Sequence, residues 1–328
     1  MTIIIILVIL ALAFDLLNGI HDSSNIVATM ISSRAFSPQI ALGITAICEF
    51  SGPFIFGVAV AKTIGSEIIT ADAISLEVLI AALSGAILWN VLTWFLGIPS
   101  SSSHAIVGGL LGAVLVGAGA QAVQLQGIGK VLIALFTSPI IGLVFGFVIT
   151  KLVYVLIARA SLGINTVFKR GQIVTAMALA LSHGANDAQK SMGIITLALV
   201  IGGYLQSFEV PLWVVFACSF MIALGTSLGG WRLIRTLGGK FYKIRPIDGF
   251  SAQMASAIVI LGNSLLGGPV STTQVVSSAI MGVGAAERVN KVRWGVASEI
   301  LIAWFLTIPA TGLVSAGIYL LIKLLQSA

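Results

Sequence analysis

Two aspartates stand in stretches otherwise built for an apolar surrounding. Asp22 lies in "NGIHDSSN" (18–25), soon after the opening "MTIIIILVILALAF", and Asp187 lies in "HGANDAQK" (183–190). An isolated carboxylate is costly to bury, so each needs a proton, a counter-charge or a dense set of donors. Hard oxygen ligands surround both: Asn18, Ser23, Ser24 and Asn25 beside the first, Ser182, Asn186 and Gln189 beside the second. Such ligands suit a hard cation, and no Cys/His cluster recruits a transition metal. Na+ fits the set, and a proton fits the carboxylates alone. Glu49, in "CEFSGP", is a third acid in an apolar run; it reads equally as a cation ligand or a packing hydrogen bond.

A second pair of motifs has the opposite character. "PSSSSH" (99–104) and "PVSTTQ" (269–274) each lead into an apolar stretch. Pro followed by hydroxyl residues reads as a helix N-terminus, with Pro in the first turn and Ser or Thr capping. Each such end carries unpaired N–H donors and about half a positive charge. Two together form an anion cradle. The hydroxyls of Ser101, Ser102, Ser103, Ser271, Thr272 and Thr273 add donors on several sides of a tetrahedral oxyanion, and His104 reads either as a further donor or as a packing histidine. A bound cation then lets the oxyanion approach the aspartates, so each ligand favours the other. Lys190 is expected to pair with Asp187 or to touch the anion.

The elements that must position these groups follow from composition. Hydrophobic residues make up 58% of the 328-residue chain and charged residues 9%, with mean hydropathy +1.11. Soluble domains carry about 25% charged residues. Runs of about 20 apolar residues recur, each long enough to span a bilayer as a helix. Period-2 alternation, the barrel signal, is absent. The fold class is therefore an all-α polytopic membrane protein of about ten to twelve membrane segments. The first stretch lacks a positive n-region and an A-x-A site, so it reads as a retained span rather than a signal. Cys48 and Cys218 lie inside apolar spans and read as buried small hydrophobes. The net charge of +6 sits in loops, which indicates membrane orientation and no nucleic-acid partner.

The motif pairs mark an internal repeat. Gly184 and Asp187 follow Gly19 and Asp22 by 165 residues; Pro269, Ser271, Thr272 and Thr273 follow Pro99, Ser101, Ser102 and Ser103 by 170. Pro139-x-x-Gly142 and Pro309-x-x-Gly312 keep the second offset. The expected organisation is a first repeat at 1–158, a cytoplasmic linker at 159–171 and a second repeat at 172–328. Equivalent loops differ in charge: 62–77 holds Lys62 against Glu67, Asp72 and Glu77, whereas 231–248 holds Arg232, Arg235, Lys240, Lys243 and Arg245 against Asp248. With positive residues inside, the loops fall on opposite sides, the repeats are inverted, the basic loop is cytoplasmic and both termini are external.

Inverted repeats with paired interrupted helices are a transporter pattern, in which broken segments meet near the midplane. Gly19 and Gly184 are expected to open their helices, because Gly tolerates unusual backbone angles. Asp15 reads as an interhelical hydrogen-bond partner, Glu299 as structural or gating, and Asp248 as an N-cap or ion-pair partner. His21, His104 and His183 read as too scattered for a metal site. A hydrolase using Ser182, His183 and Asp187 is disfavoured, since neighbouring helical positions do not face each other and no G-x-S-x-G elbow occurs. Paired acidic sites also favour a carrier over a channel.

These four motifs, in this order, resemble the inorganic phosphate transporter (PiT) family, whose pattern is a "GANDxxN"-type motif twice and a "P-x-S-[ST]-[ST]-H"-type motif twice. The resemblance covers essentially the whole chain. It implies a compact prokaryotic phosphate symporter in the inner membrane, importing inorganic phosphate with Na+ or H+, with no organic cofactor and as a homodimer. The implied phosphate set is Ser101, Ser102, Ser103, His104, Ser271, Thr272, Thr273, Gln274, Asn25 and Lys190. The implied Na+ set is Asp22, Asn25, Asn186, Asp187, Asn18, Ser23 and Glu49. Three positions depart from the pattern: His21 for the first Asn, Lys190 for the last Asn, and Gln274 for His. Na+ is the expected coupling ion; a proton or metal–phosphate coupling, and sulfate as cargo, are the alternatives.

Overall fold

The computed structural model describes residues 1–70, 73–98, 100–159, 163–229 and 244–327. Among these, ten helices of sixteen residues or more account for nearly all the structure. They are α1 (Thr2–Ser32), α2 (Pro38–Phe56), α4 (Leu76–Leu96), α5 (Ser102–Gly117), α6 (Leu125–Leu156), α7 (Ile164–Ile201), α8 (Leu212–Leu228), α9 (Pro246–Leu265), α10 (Thr272–Glu287) and α11 (Trp294–Ser327). A short α3 (Ala59–Lys62) continues as a π turn over Thr63–Glu67. The only strand-like pairing among the described residues is the isolated Ile69–Val123 bridge.

Five segments are long and apolar enough to cross a membrane: α1, α2, α4, α6 and Leu301–Ser327 of α11. Their outer faces carry side chains such as Ile47, Phe95, Ile133, Ile140, Val155 and Leu313, all exposed. An apolar solvent removes the need for a charged exterior, and the chain is a polytopic helical membrane protein.

Small residues bring the helices close. Gly19 of α1 faces the backbone of Ile222 and Thr226 in α8, and Gly184 of α7 faces the backbone of Glu49 in α2. A Cβ at either position would lie 2.2 or 2.1 Å from the facing carbonyl oxygen. Gly225 and Gly52 complete the two contacts from the other side, against Leu16 and Leu181. Without a hydrophobic drive between helices in lipid, such backbone approach is what dispersion and packing require. The same logic joins α5 to α11 through Gly112 and Gly312, and α6 to α10 through Gly282 and Leu143.

The interruptions expected at 19–25 and 184–190 are therefore corrected. Both motifs lie within continuous helices, and Gly19 and Gly184 serve close approach rather than an unusual backbone. The chain breaks instead between α4 and α5 and between α9 and α10. There Gly97 (φ 69°) and Gly267 (φ 72°), 170 residues apart, adopt the left-handed conformation that ends a helix at no steric cost. Pro269 lies ahead of the N-cap Ser271, not in the first turn of α10; Pro99 lies outside the described residues. The expected linker is shortened, because α7 already begins at Ile164; residues 160–162 lie outside the described set.

The basic loop at 231–243 also lies outside the described residues, as do Asp72 and the side chain of Glu299. At its end, α9 begins earlier than the expected N-cap at Asp248. Pro246 opens the helix and Asp248 occupies N3, accepting from the Arg245 backbone N–H (3.0 Å) in a capping box. Arg245 also reaches Tyr154 and Glu287, and Lys291 pairs with Glu287. Asp248 is thus both cap and ion-pair partner.

Two large apolar clusters make most of the core among the described residues, beside a small one of Val153, Phe168 and Ile247. One holds Phe14, Ile64, Leu79, Ile106, Met192 and Ile195; the other holds Ile26, Met30, Leu179, Ile260 and Val276. Along α1 and α7 the polar residues 15–25 and 182–191 fall between them. Cys48 and Cys218 are buried free thiols, as expected.

Candidate functional site

α1 and α7 cross with their aspartates against each other, and both carboxylates are fully buried. The arrangement is reciprocal. Asn18, four residues before Asp22, donates across to Asp187 Oδ2 at 3.1 Å. His183, four before Asp187, places Nε2 3.8 Å from Asp22 Oδ2 and 3.3 Å from Asp187 Oδ2. Helical spacing puts i and i+4 on one face, so one helix presents both groups to the other. Three residues after each aspartate a side chain turns back onto it: Asn25 Nδ2 to Asp22 Oδ1 at 2.8 Å, and Lys190 Nζ to Asp187 Oδ1 at 2.6 Å.

The Ser/Thr-rich helix ends close on this pair. Ser101 caps α5 by accepting from the His104 N–H (3.1 Å), and Ser271 caps α10 by accepting from the Gln274 N–H (3.4 Å). One residue on, Ser102 donates to Asp22 Oδ2 (3.4 Å) and Thr272 to Asp187 Oδ2 (3.3 Å). Thr273 donates to Asp22 Oδ1 (2.8 Å) and lies 2.8 Å from the Asn25 amide. The two N-termini abut: the Gln274 amide lies 3.3 Å from His104 Nε2, and Ser103 donates to the Val270 carbonyl at 2.7 Å. Both helix ends thus aim their positive poles at one buried anionic centre.

Other expected residues lie around this centre with defined partners. Glu49 of α2 sits 2.8 Å from His183 Nδ1, so three carboxylates converge on one imidazole. With its amide oriented to satisfy both ends, Asn186 accepts from Ser264 and donates to Asp187 Oδ1 and the Val270 carbonyl. Ser101 meets His104 Nδ1 at 2.7 Å. Ser23, Ser24 and Ser182 each turn a hydroxyl onto the preceding turn of their own helix, a habit of helical Ser. Gln189 is diverted to structure: its oxygen accepts from the Val60 and Ala61 N–H groups that open α3, and its amide donates to the Gly57 carbonyl. Asp15 accepts from Ser191 at 2.6 Å, the interhelical bond expected of it. Of the two partners expected for Lys190, the structure realises Asp187.

His183 corrects the expectation that the histidines are scattered. Asp22, His183 and Asp187 offer ligand atoms within 4.8 Å of one another. The signal was present in "HGAND": His183 precedes Asp187 by one helical turn and follows Asn18 by the repeat offset of 165. Chemically, the centre combines carboxylate and amide oxygens with a ring of hydroxyl donors. Two acceptors in it, Asn18 Oδ1 and Asn25 Oδ1, are buried without a hydrogen-bond donor. Buried acceptors without donors are uncommon and call for a partner; a hard cation meets that need.

Known proteins share this architecture. The model of the phosphate transporter family matches residues 18–315. The chain is 45% identical over 327 residues to the probable low-affinity inorganic phosphate transporter of Bacillus subtilis (strain 168), covering 98% of this chain and 97% of that one. A protein of the same description from Rhizobium meliloti (strain 1021) is 45% identical over 315 residues, covering 95% of this chain and 94% of its own. A solved structure described as the sodium-dependent phosphate transporter superposes with a TM-score of 0.91 at 26% identity, over 99% of this chain and 100% of its own. Paired aspartates ringed by hydroxyl-capped helix ends, and a match from Asn18 to Ser315, lead to one conclusion: this chain belongs to the phosphate transporter (PiT) family and is a transporter, not an enzyme.

Proposed function

We propose that the protein imports inorganic phosphate across the inner membrane by symport with Na+. The observation that carries this reading is the sharing of hydroxyls between the two ligand sets. Ser102, Thr272 and Thr273 direct their hydrogens at Asp22 and Asp187. A hydroxyl has one hydrogen and two lone pairs. Once a cation rests on the carboxylates, the same hydroxyl offers it a lone pair and turns its hydrogen to an oxyanion. Cation and phosphate then each improve the other's site, the reciprocity that symport needs.

In this reading Asp22, Asp187, Asn18, Asn25, Asn186, Ser23 and Glu49 serve Na+. Ser101, Ser102, Ser103, His104, Ser271, Thr272, Thr273, Gln274, Asn25 and Lys190 serve phosphate, with the helix N-termini supplying backbone donors. The repeats at 1–158 and 172–328 are inverted, the termini external and the basic loop cytoplasmic. The exposed apolar faces meet lipid, and two copies form a homodimer. Coupling by protons is the second reading, favoured by His183 standing against three carboxylates.

Uptake of labelled phosphate into proteoliposomes at fixed pH, with Na+ replaced by choline, separates these. The expected result is loss of concentrative uptake in choline. Undiminished uptake that follows a proton gradient refutes Na+ coupling, and competition by sulfate equal to that of phosphate refutes phosphate selectivity.

A further inference from the structure

We propose that Lys190 is a tethered counter-ion that holds, at Asp187, the place an exchangeable Na+ takes at Asp22, so that the charged Asp187 half of the centre binds no Na+ of its own. The inference rests on the Na+ reading above and narrows its residue assignment: Lys190 serves Asp187 rather than phosphate, and Asp187 holds no second exchangeable Na+.

The argument comes from comparing the two halves position by position. Asn18 and His183, Asp22 and Asp187, and Asn25 and Lys190 stand 165 residues apart. Ser102 and Thr272 stand 170 apart, each donating to its own half's aspartate. The local geometry repeats: residue i+3 donates to the first carboxylate oxygen, at 2.8 Å from Asn25 and 2.6 Å from Lys190. What differs is the kind of group. Asn25 brings an uncharged amide whose Oδ1 is buried and has no donor. It therefore leaves beside Asp22 a net negative charge and an open acceptor, the two things a Na+ needs. Lys190 brings a full positive charge and no acceptor at all. Its side chain is fully buried and its ammonium is in contact with Asp187.

A tethered ammonium neutralises Asp187 in every step of the cycle, but it cannot be carried across. Breaking so deeply buried a pair to admit Na+ would strand an uncompensated ammonium in apolar surroundings, which is strongly unfavourable. The Asp22 half has no such cation among the described residues that touch its carboxylate other than histidine. One half is thus permanently compensated and the other compensated only by a travelling ion. The expected consequence is one fewer Na+ per phosphate than in a centre with Asn at both positions.

The test counts Na+ directly. Binding of 22Na+ to purified protein at saturating phosphate, by equilibrium dialysis, gives the number of ions per chain. K190N, which copies Asn25 into the second half, is expected to bind one more Na+ than the parent. Its Na+-dependent uptake is expected to rise with a Hill coefficient higher by about one, and its limiting phosphate accumulation to rise about tenfold in about a tenfold Na+ gradient. A second pair of variants gives the same answer without touching Lys190: D22N is expected to lose one bound Na+, and D187N none. An unchanged count in K190N, or equal losses in D22N and D187N, overturns the inference. If the parent binds no 22Na+, it is the Na+ reading that fails.

Discussion

Replacing Gly184 by Ala tests the packing that seats the centre. A Cβ at this position would lie 2.1 Å from the Glu49 carbonyl oxygen and 2.7 Å from its carbonyl carbon and Cα. These are backbone atoms in the middle of α2, so no side-chain rotation relieves the clash. Restoring ordinary contact requires the helices to part by about 1 Å. Overpacking of this kind costs about 1–3 kcal/mol. On an open helix face the same change favours stability, by about 1 kcal/mol through helix propensity, so the sign of the effect is diagnostic. The displaced residue is also Glu49, whose carboxylate stands 2.8 Å from His183 Nδ1. A shift of about 1 Å in a positioning group costs about a hundredfold in rate. Gly184→Ala is therefore expected to lower the thermal unfolding midpoint of the purified protein and to reduce phosphate uptake in proteoliposomes by one to two orders of magnitude, about 10- to 100-fold. Gly43→Ala, with nothing within 4 Å of its Cβ, is the control and leaves both unchanged or raises the midpoint. A Gly184→Ala protein as stable and as active as its parent refutes the close-packing account of this motif.

Asp22→Asn and Asp187→Asn each abolish coupled uptake; a near-normal rate in labelled-phosphate transport removes that carboxylate from the mechanism. Thr273→Val keeps the shape but deletes the hydroxyl that donates to Asp22; a hydrogen bond to a charged group contributes about 1.5–3 kcal/mol, so the KM values for phosphate and for Na+ rise together, and a change in one alone contradicts the shared-hydroxyl coupling. Ser101→Ala removes the cap of α5 and lowers stability by about 1 kcal/mol, read as a lower unfolding midpoint. Asp248→Ala deletes the acceptor of the Arg245 N–H and of its guanidinium, and the midpoint again falls, by the equivalent of about 1–2 kcal/mol.

Much of the centre was legible because the chain is so apolar. Against an oil-like background, Asp22, Asp187 and the two Ser/Thr clusters stand out, and their repetition at offsets of 165 and 170 predicts that they meet. The helix-end role of Ser101 and Ser271 followed from capping chemistry and holds in the structure. Gly19 and Gly184 misled because glycine has two uses, backbone freedom and absence of bulk, and one sequence does not separate them. The neighbour that decides between them, a carbonyl of α8 or α2, is distant in the chain. Gln189 misled for a related reason: its amide suits a cation as well as it suits the frayed start of α3, and only the fold brings Val60 and Ala61 within reach. The place of His183 is less legible, because two of its three carboxylate neighbours, Asp22 and Glu49, lie on other helices and only the fold brings them to the ring.

The swapped packing of α1 on α8 and of α7 on α2 ties the two halves of the chain to each other. Each copy of the duplicated unit hides its glycine face under a helix of its sibling, and Asn18 of one copy donates to the aspartate of the other. Neither copy encloses its own acid alone. A half of the chain expressed by itself would leave a glycine face and a buried acid uncovered, whereas the residues three positions beyond each acid, Asn25 and Lys190, differ in charge without disturbing that shared packing.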